Sequence, residues 1–126
     1  MLSGRLPDSG VAIYLLDAPE LYHRPGGPYQ DGSGVDWPDN ALRFGLLSRV
    51  AAQLCSAQPD LQWQPQILHA NDWQTGLAPA YLKLNPGNTV RTVFSVHNLA
   101  FQGNFSPDWM PRLDLPWSLF APEGLE

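Results

Sequence analysis

One cysteine, Cys55, is all that the 126-residue chain contains. That excludes an internal disulfide framework and points to a reducing compartment. Cys55 sits on a helical pattern without the His and Asn signature of a thiol hydrolase, so it reads as a packing residue and not a nucleophile. Positive charge is also scarce. Seven Lys and Arg stand against twelve Asp and Glu, giving a formal net charge of -5 and a pI near 4.9. With no basic run, the chain is expected to have neither a nucleic-acid partner nor an anionic membrane surface. No apolar run approaches the roughly 20 residues of a membrane span, and residues 1–5 lack the apolar stretch of a signal peptide. The expected location is cytoplasmic.

Further signatures are missing. Gly32-Ser33-Gly34 neither follows a strand nor opens a helix, which removes dinucleotide binding, and no Gly-x-Ser-x-Gly elbow marks a hydrolase. His23, His69, Asp72 and His97 are suitable metal ligands by type, but no close spacing groups them. No metal or other cofactor is expected. The ends carry an expectation of their own: the first strand begins within about ten residues of Met1, and the last segment stops at Glu126 without a cap or breaker. The chain reads as part of something longer.

What is present suits an α/β domain. Hydrophobic residues make up 44%, enough to build a core. Residues 11–16 form a near-continuous apolar run, expected to be a parallel strand buried on both faces. Residues 21–39 hold Pro25, Gly26, Gly27, Pro28, Gly32, Gly34 and Pro38, a breaker density that predicts an ordered loop punctuated by Tyr22, Tyr29 and Trp37. From Asn40 to Leu54, apolar residues recur at three- and four-residue steps behind Asp39 as N-cap, with Arg43, Ser48, Arg49 and Gln53 on the outer face and Pro59-Asp60 as the stop. A strand is predicted over 66–70, a helix over 75–84 with Pro79 in its first turn, and a strand over 91–96. The crossover of about 20 residues between these strands fits a right-handed parallel βαβ unit. Beyond Gly103, Pro107, Pro111, Pro116 and Pro122 alternate with aromatic residues, as in short turns packed on a neighbouring surface.

Both strands of this unit end in polar clusters, His69-Ala70-Asn71-Asp72-Trp73-Gln74-Thr75-Gly76 and Ser95-Val96-His97-Asn98. Ligands of open α/β sheets bind outside the carboxyl ends of the strands, so the two clusters should converge on one crevice. Taken on the residues alone, His97 after a strand is more often structural than functional. Asp72 could as well cap the helix that follows. Trp73, at the helix entrance, reads as core.

At these clusters the chain resembles bacterial glycogen synthase and plant starch synthase. The likeness rests on His69-Ala70-Asn71-Asp72-Trp73-Gln74-Thr75-Gly76-Leu77-Ala78-Pro79-Ala80-Tyr81-Leu82 and on Val93-Phe94-Ser95-Val96-His97-Asn98-Leu99-Ala100-Phe101-Gln102-Gly103-Asn104-Phe105. Ile13-Tyr14-Leu15-Leu16-Asp17-Ala18-Pro19, Tyr22-His23-Arg24-Pro25-Gly26-Gly27-Pro28-Tyr29, Asp39-Asn40-Ala41-Leu42-Arg43-Phe44 and Leu115-Pro116-Trp117 extend it over nearly the whole chain.

The resemblance implies a Rossmann-like parallel sheet with flanking helices, residues 1–126 being part of the N-terminal domain of a two-domain GT-B glycosyltransferase. It implies transfer of glucose from ADP-glucose, or UDP-glucose, to the non-reducing end of an α-1,4-glucan with retention of configuration, in the cytoplasm or, in a plant, the plastid. The family's Lys-Thr-Gly-Gly-Leu loop and its second domain have no counterpart among these residues, so the chain alone is expected to be inactive. Asn71 stands where relatives often have His. By this resemblance His97 lies beside the donor sugar and Asp72 serves the acceptor or the glucosyl charge, the two catalytic candidates. Asn98, Gln102 and Tyr29 are candidate substrate contacts, Tyr29 by stacking on a sugar ring, while His69 is expected to support the site more than touch the ligand. A sucrose-synthase-like enzyme and a non-catalytic glucan-binding module remain as alternatives.

Overall fold

Two short runs that mix apolar and polar residues, 67–71 and 91–95, form the small sheet in the larger part of the molecule. A computed structural model describes residues 1–56 and 63–125. The chain divides into two compact units, Met1–Pro38 and Asp39–Glu126.

In the first unit, β1 (Leu2–Arg5) and β2 (Ala12–Leu15) form an antiparallel pair in the register Leu2↔Leu15 to Arg5↔Ala12. The strand expected over 11–16 is therefore present. Its predicted setting is not: β2 belongs to a hairpin, and Leu15 is exposed. Only residues 6–11 join the strands, too few for the crossover that a parallel pair requires. Leu6 and Val11 close the turn, and Gly10 takes φ 68 within it. A one-turn helix, α1 (Pro19–Tyr22), precedes the breaker-rich loop. That loop is ordered by its own side chains. Asp31 Oδ1 accepts from Ser33 N, Ser33 Oγ and Val35 N at 2.8, 2.6 and 3.1 Å, and an isolated bridge joins Gln30 to Asp36. These bonds favour the ionised carboxylate, and they hold the Asp31 carboxyl below its ordinary pKa.

The second unit carries α2 (Asn40–Leu54), β3 (Ile67–Asn71), α3 (Ala78–Lys83) and β4 (Arg91–Ser95). It is a mixed α/β arrangement around a small parallel sheet. β3 and β4 pair in parallel, Ile67 opposite Arg91 through Asn71 opposite Ser95. The helix α2 begins after Asp39 as predicted, although the Asp39 side chain makes no capping bond. Pro59 and Asp60, its predicted stop, lie outside the described residues.

Two assignments on α2 are corrected. Arg43 and Ser48 are buried, not on the outer face. Arg43 bonds Asn40 Oδ1 at 2.6 Å and lies over the Phe44 ring at 5.5 Å. Ser48 is small enough to let the turn Trp73–Thr75 approach, and its hydroxyl faces the Gln74 carbonyl at 3.4 Å.

The helix expected over 75–84 is shorter. A 3₁₀ turn over Trp73–Thr75 comes first, and α3 starts only at Ala78. A proline in a helix interior clashes with the carbonyl four residues earlier, here Thr75, so Pro79 fits only in the first turn. Ala52, Cys55, Leu82 and Val90 form one buried cluster, with Leu68 and Tyr81 packed against it. A second consists of Met110, Leu113 and Leu115, supported by Leu42, Leu77 and Tyr81. The proline-punctuated end supplies this second cluster through 3₁₀ turns at Pro107–Trp109, Pro111–Leu113 and Trp117–Leu119. Tyr81 ties the two together by donating its hydroxyl to the Leu113 carbonyl at 2.7 Å.

Candidate functional site

Side chains alternate across a strand, so residues at i and i+2 share a face. Leu68 and Ala70 point to the core, with Ala70 fully covered, while Phe94, opposite Ala70 on the neighbouring strand, is half exposed. The opposite face carries His69 and Asn71 from β3, and Val93 and Ser95 from β4, with His97 just past its end. Two diagonal pairs cross between the strands there. His69 Nε2 lies 2.8 Å from Ser95 Oγ, and His97 Nε2 lies 3.0 Å from Asn71 Oδ1. All four side chains are open to solvent or partly so.

Asp72 joins this group from the strand end. Its backbone N–H donates to the Ser95 carbonyl at 2.8 Å, extending the ladder by one bond. Its carboxylate does not cap the turn that follows but accepts the backbone N–H of His97 at 2.7 Å. The cap reading is thereby corrected. Asp72 takes φ 54 and ψ 179, a backbone region tolerated chiefly by glycine. Thr75 holds the neighbouring backbone: its hydroxyl accepts from Asn71 N at 2.6 Å and donates to Asn71 O at 2.8 Å. The strand end is thus built from both sides, by Thr75 below and His97 across.

Asp72, His97 and His69 therefore come together at the carboxyl ends of two adjacent strands. Asn98 and Gln102 lie on the exposed loop that follows and are engaged locally. Asn98 Oδ1 accepts from Ala100 N at 3.0 Å, and Gln102 Nε2 donates to the Leu99 carbonyl at 3.2 Å. Tyr29 lies in the first unit, exposed, where its carbonyl accepts from Trp37 N at 3.0 Å. Sequence reasoning passed over Ser95 and left Asn71 without a role. The period of two in His69-x-Asn71 and Ser95-x-His97 was the signal that could have found both.

An apolar groove of about 390 Å³ opens on the other side of the sheet, lined in part by Phe44, Trp73, Phe94, Val96, Phe101 and Phe105. Trp73 is half-buried at its floor, edge-on to Phe44 with ring centroids 4.8 Å apart, in keeping with the packing role expected of it. Among the described residues no group of three or more His, Cys, Asp or Glu could hold a metal ion, and no helix is long and apolar enough to cross a membrane.

A family model described as the starch synthase catalytic domain matches residues 2–126. The chain belongs to the starch synthase catalytic domain family. A glycogen synthase of Aromatoleum aromaticum is 59% identical over 126 residues, and one of Paramagnetospirillum magneticum is 57% identical over 127, each match covering this whole chain. A third, from Nitrosospira multiformis, is 50% identical over 129 residues. This member of the starch synthase family spans about a quarter of the relatives' length, 25% and 26% in the first two cases. The three relatives are bacterial proteins, and a plastid location gains no support from them.

Proposed function

We propose that this chain forms part of the N-terminal, Rossmann-like domain of a two-domain GT-B glucan synthase. The proposed reaction is transfer of glucose from ADP-glucose or UDP-glucose to the non-reducing end of an α-1,4-glucan, with retention. His97 and Asp72 are the residues proposed to serve the chemistry. An imidazole at a strand end can hydrogen-bond a sugar hydroxyl and stabilise charge at the reacting centre. A carboxylate beside it is an acceptor suited to orienting a hydroxyl or facing the positive charge of a glucosyl transition state. Transfer on the front face lets the departing nucleotide phosphate take the acceptor's proton, so the chain needs no separate strong base. Asn98, Gln102 and Tyr29 are proposed to contact substrate from the loops, and His69 to hold Ser95 and the strand end in place.

The observation that carries this reading is the bond from the His97 backbone N–H to Asp72 Oδ1, which holds the two candidate residues next to each other at the carboxyl ends of adjacent strands. The relatives named glycogen synthase favour this reading over a sucrose-synthase-like activity. The test is a transplant. This chain replaces the matching quarter of the Aromatoleum aromaticum synthase, and glucose transfer to a maltooligosaccharide is measured with ADP-glucose and with UDP-glucose. Transfer from either donor supports the proposal and ranks the donors. A folded chimera that binds glucan but transfers from neither would overturn it in favour of a binding module.

A further inference from the structure

The amide of Asn71 is oriented by what surrounds it. Its Nδ2 faces the His69 carbonyl at 3.5 Å, which turns Oδ1 toward His97 Nε2, 3.0 Å away. An amide oxygen has lone pairs and no hydrogen, so this bond exists only while Nε2 carries a proton. In a neutral ring the other nitrogen, Nδ1, is then bare.

We propose that Asn71 is a positioning residue that fixes His97 as the Nε2–H tautomer, so that Nδ1 is presented as a hydrogen-bond acceptor to a hydroxyl of the bound hexose. Two neighbouring titratable residues, Asp72 and His69, are engaged with other atoms. Asp72 Oδ1 takes the His97 backbone N–H, and His69 Nε2 faces Ser95 Oγ. The Asn71 backbone is held separately, by the Thr75 hydroxyl. Its side chain can therefore be changed without undoing the strand end. The identity of the hydroxyl donor rests on the glucosyl-transfer reading; the tautomer does not, and the two can fail separately.

The test is a long-range ¹H–¹⁵N correlation spectrum of the chain labelled at histidine ring nitrogens, recorded in alkaline buffer. The chain has three histidines, and His97→Gln assigns the signal. The wild-type ring should give two widely separated nitrogen shifts, with Nδ1 in the range of an unprotonated imidazole nitrogen. In Asn71→Ala the two shifts should draw together as the tautomers interconvert, and Asn71→Asp, whose carboxylate is again only an acceptor, should restore the separation. A wild-type ring protonated at Nδ1, or shifts that stay in place in Asn71→Ala, would overturn the proposal. Should Asn71→Ala not fold, the wild-type and Asn71→Asp spectra decide it by the same criterion.

Discussion

The Asp72 carboxylate reaches across to the residue just past β4 and holds the backbone N–H of His97 at 2.7 Å, although the two stand 25 positions apart in the chain. The bond has a cost at its own end, since Asp72 sits at φ 54 and ψ 179. Strain of that kind amounts to roughly 1–3 kcal/mol. A hydrogen bond to a charged group returns about 1.5–3 kcal/mol, so the two nearly offset and leave the geometry in place.

Substitutions at Asp72 separate these effects. Asp72→Ala keeps the unfavourable backbone and loses the bond, and is expected to cost about 2 kcal/mol of stability. Asp72→Gly loses the bond but relieves the backbone, and is expected to cost less than half as much. Urea unfolding of both variants checks this, and a glycine variant as damaged as the alanine one would remove the strain from the account.

Gly103 takes φ 63, and a Cβ there would come within 3 Å of three Trp73 ring atoms. Gly87 takes φ 81 with nothing within 4 Å. Alanine at 87 meets only the left-handed penalty, about 1–2 kcal/mol. At 103 it must also displace an indole, so a loss of about 3 kcal/mol or more is expected. Comparing the two unfolding midpoints measures the difference, and equal losses would show that the indole yields freely.

Tyr81 gives a pH dependence. Burial pushes its phenol above the ordinary pKa of 10, with Asp114 acting in the same direction and Arg49 opposing. The folded state thus binds this proton more tightly than the unfolded one. The contribution is complete below about pH 10 and fades as pH rises through the folded value. Tyr81→Phe also removes the bond to Leu113, worth about 1 kcal/mol at neutral pH. The stability gap between wild type and Tyr81→Phe should narrow above pH 10, and a gap that stays constant would contradict the assignment.

The parts of the fold legible in the sequence are those where one period dominates. The short apolar runs at 67–68 and 92–96, with a helical pattern and a turn between them, give both strands and the crossover, and the convergence of Asp72 with His97 follows from neighbouring parallel strands ending at the same level. The setting of β2 was not legible, because an apolar run specifies a strand without specifying its partner, and Leu2–Arg5 is too polar to announce itself as one. Arg43 and Ser48 were assigned to solvent on polarity. Each has a contact that polarity alone does not reveal, Arg43 with Asn40 and Phe44 and Ser48 with Gln74. Asp72 matched a helix cap in position, and only the positive φ turned its carboxylate toward the next strand.

Cys55 lies in the first core cluster with 3% of its surface exposed, and burial raises its pKa above the ordinary value. Both effects suppress thiolate chemistry. A disulfide reagent should therefore label the native chain many-fold more slowly than the urea-unfolded chain, and equal rates would place the thiol at the surface.

The most direct measurement on the central claim is kcat of the synthase chimera with His97→Ala, read alongside its thermal stability. Loss of a group that stabilises charge at a reacting centre lowers kcat by about 10²–10³, and a fall of that size with stability unchanged is the predicted result. A chimera that keeps its full turnover without the His97 imidazole would contradict the claim that this sheet edge serves glucosyl transfer.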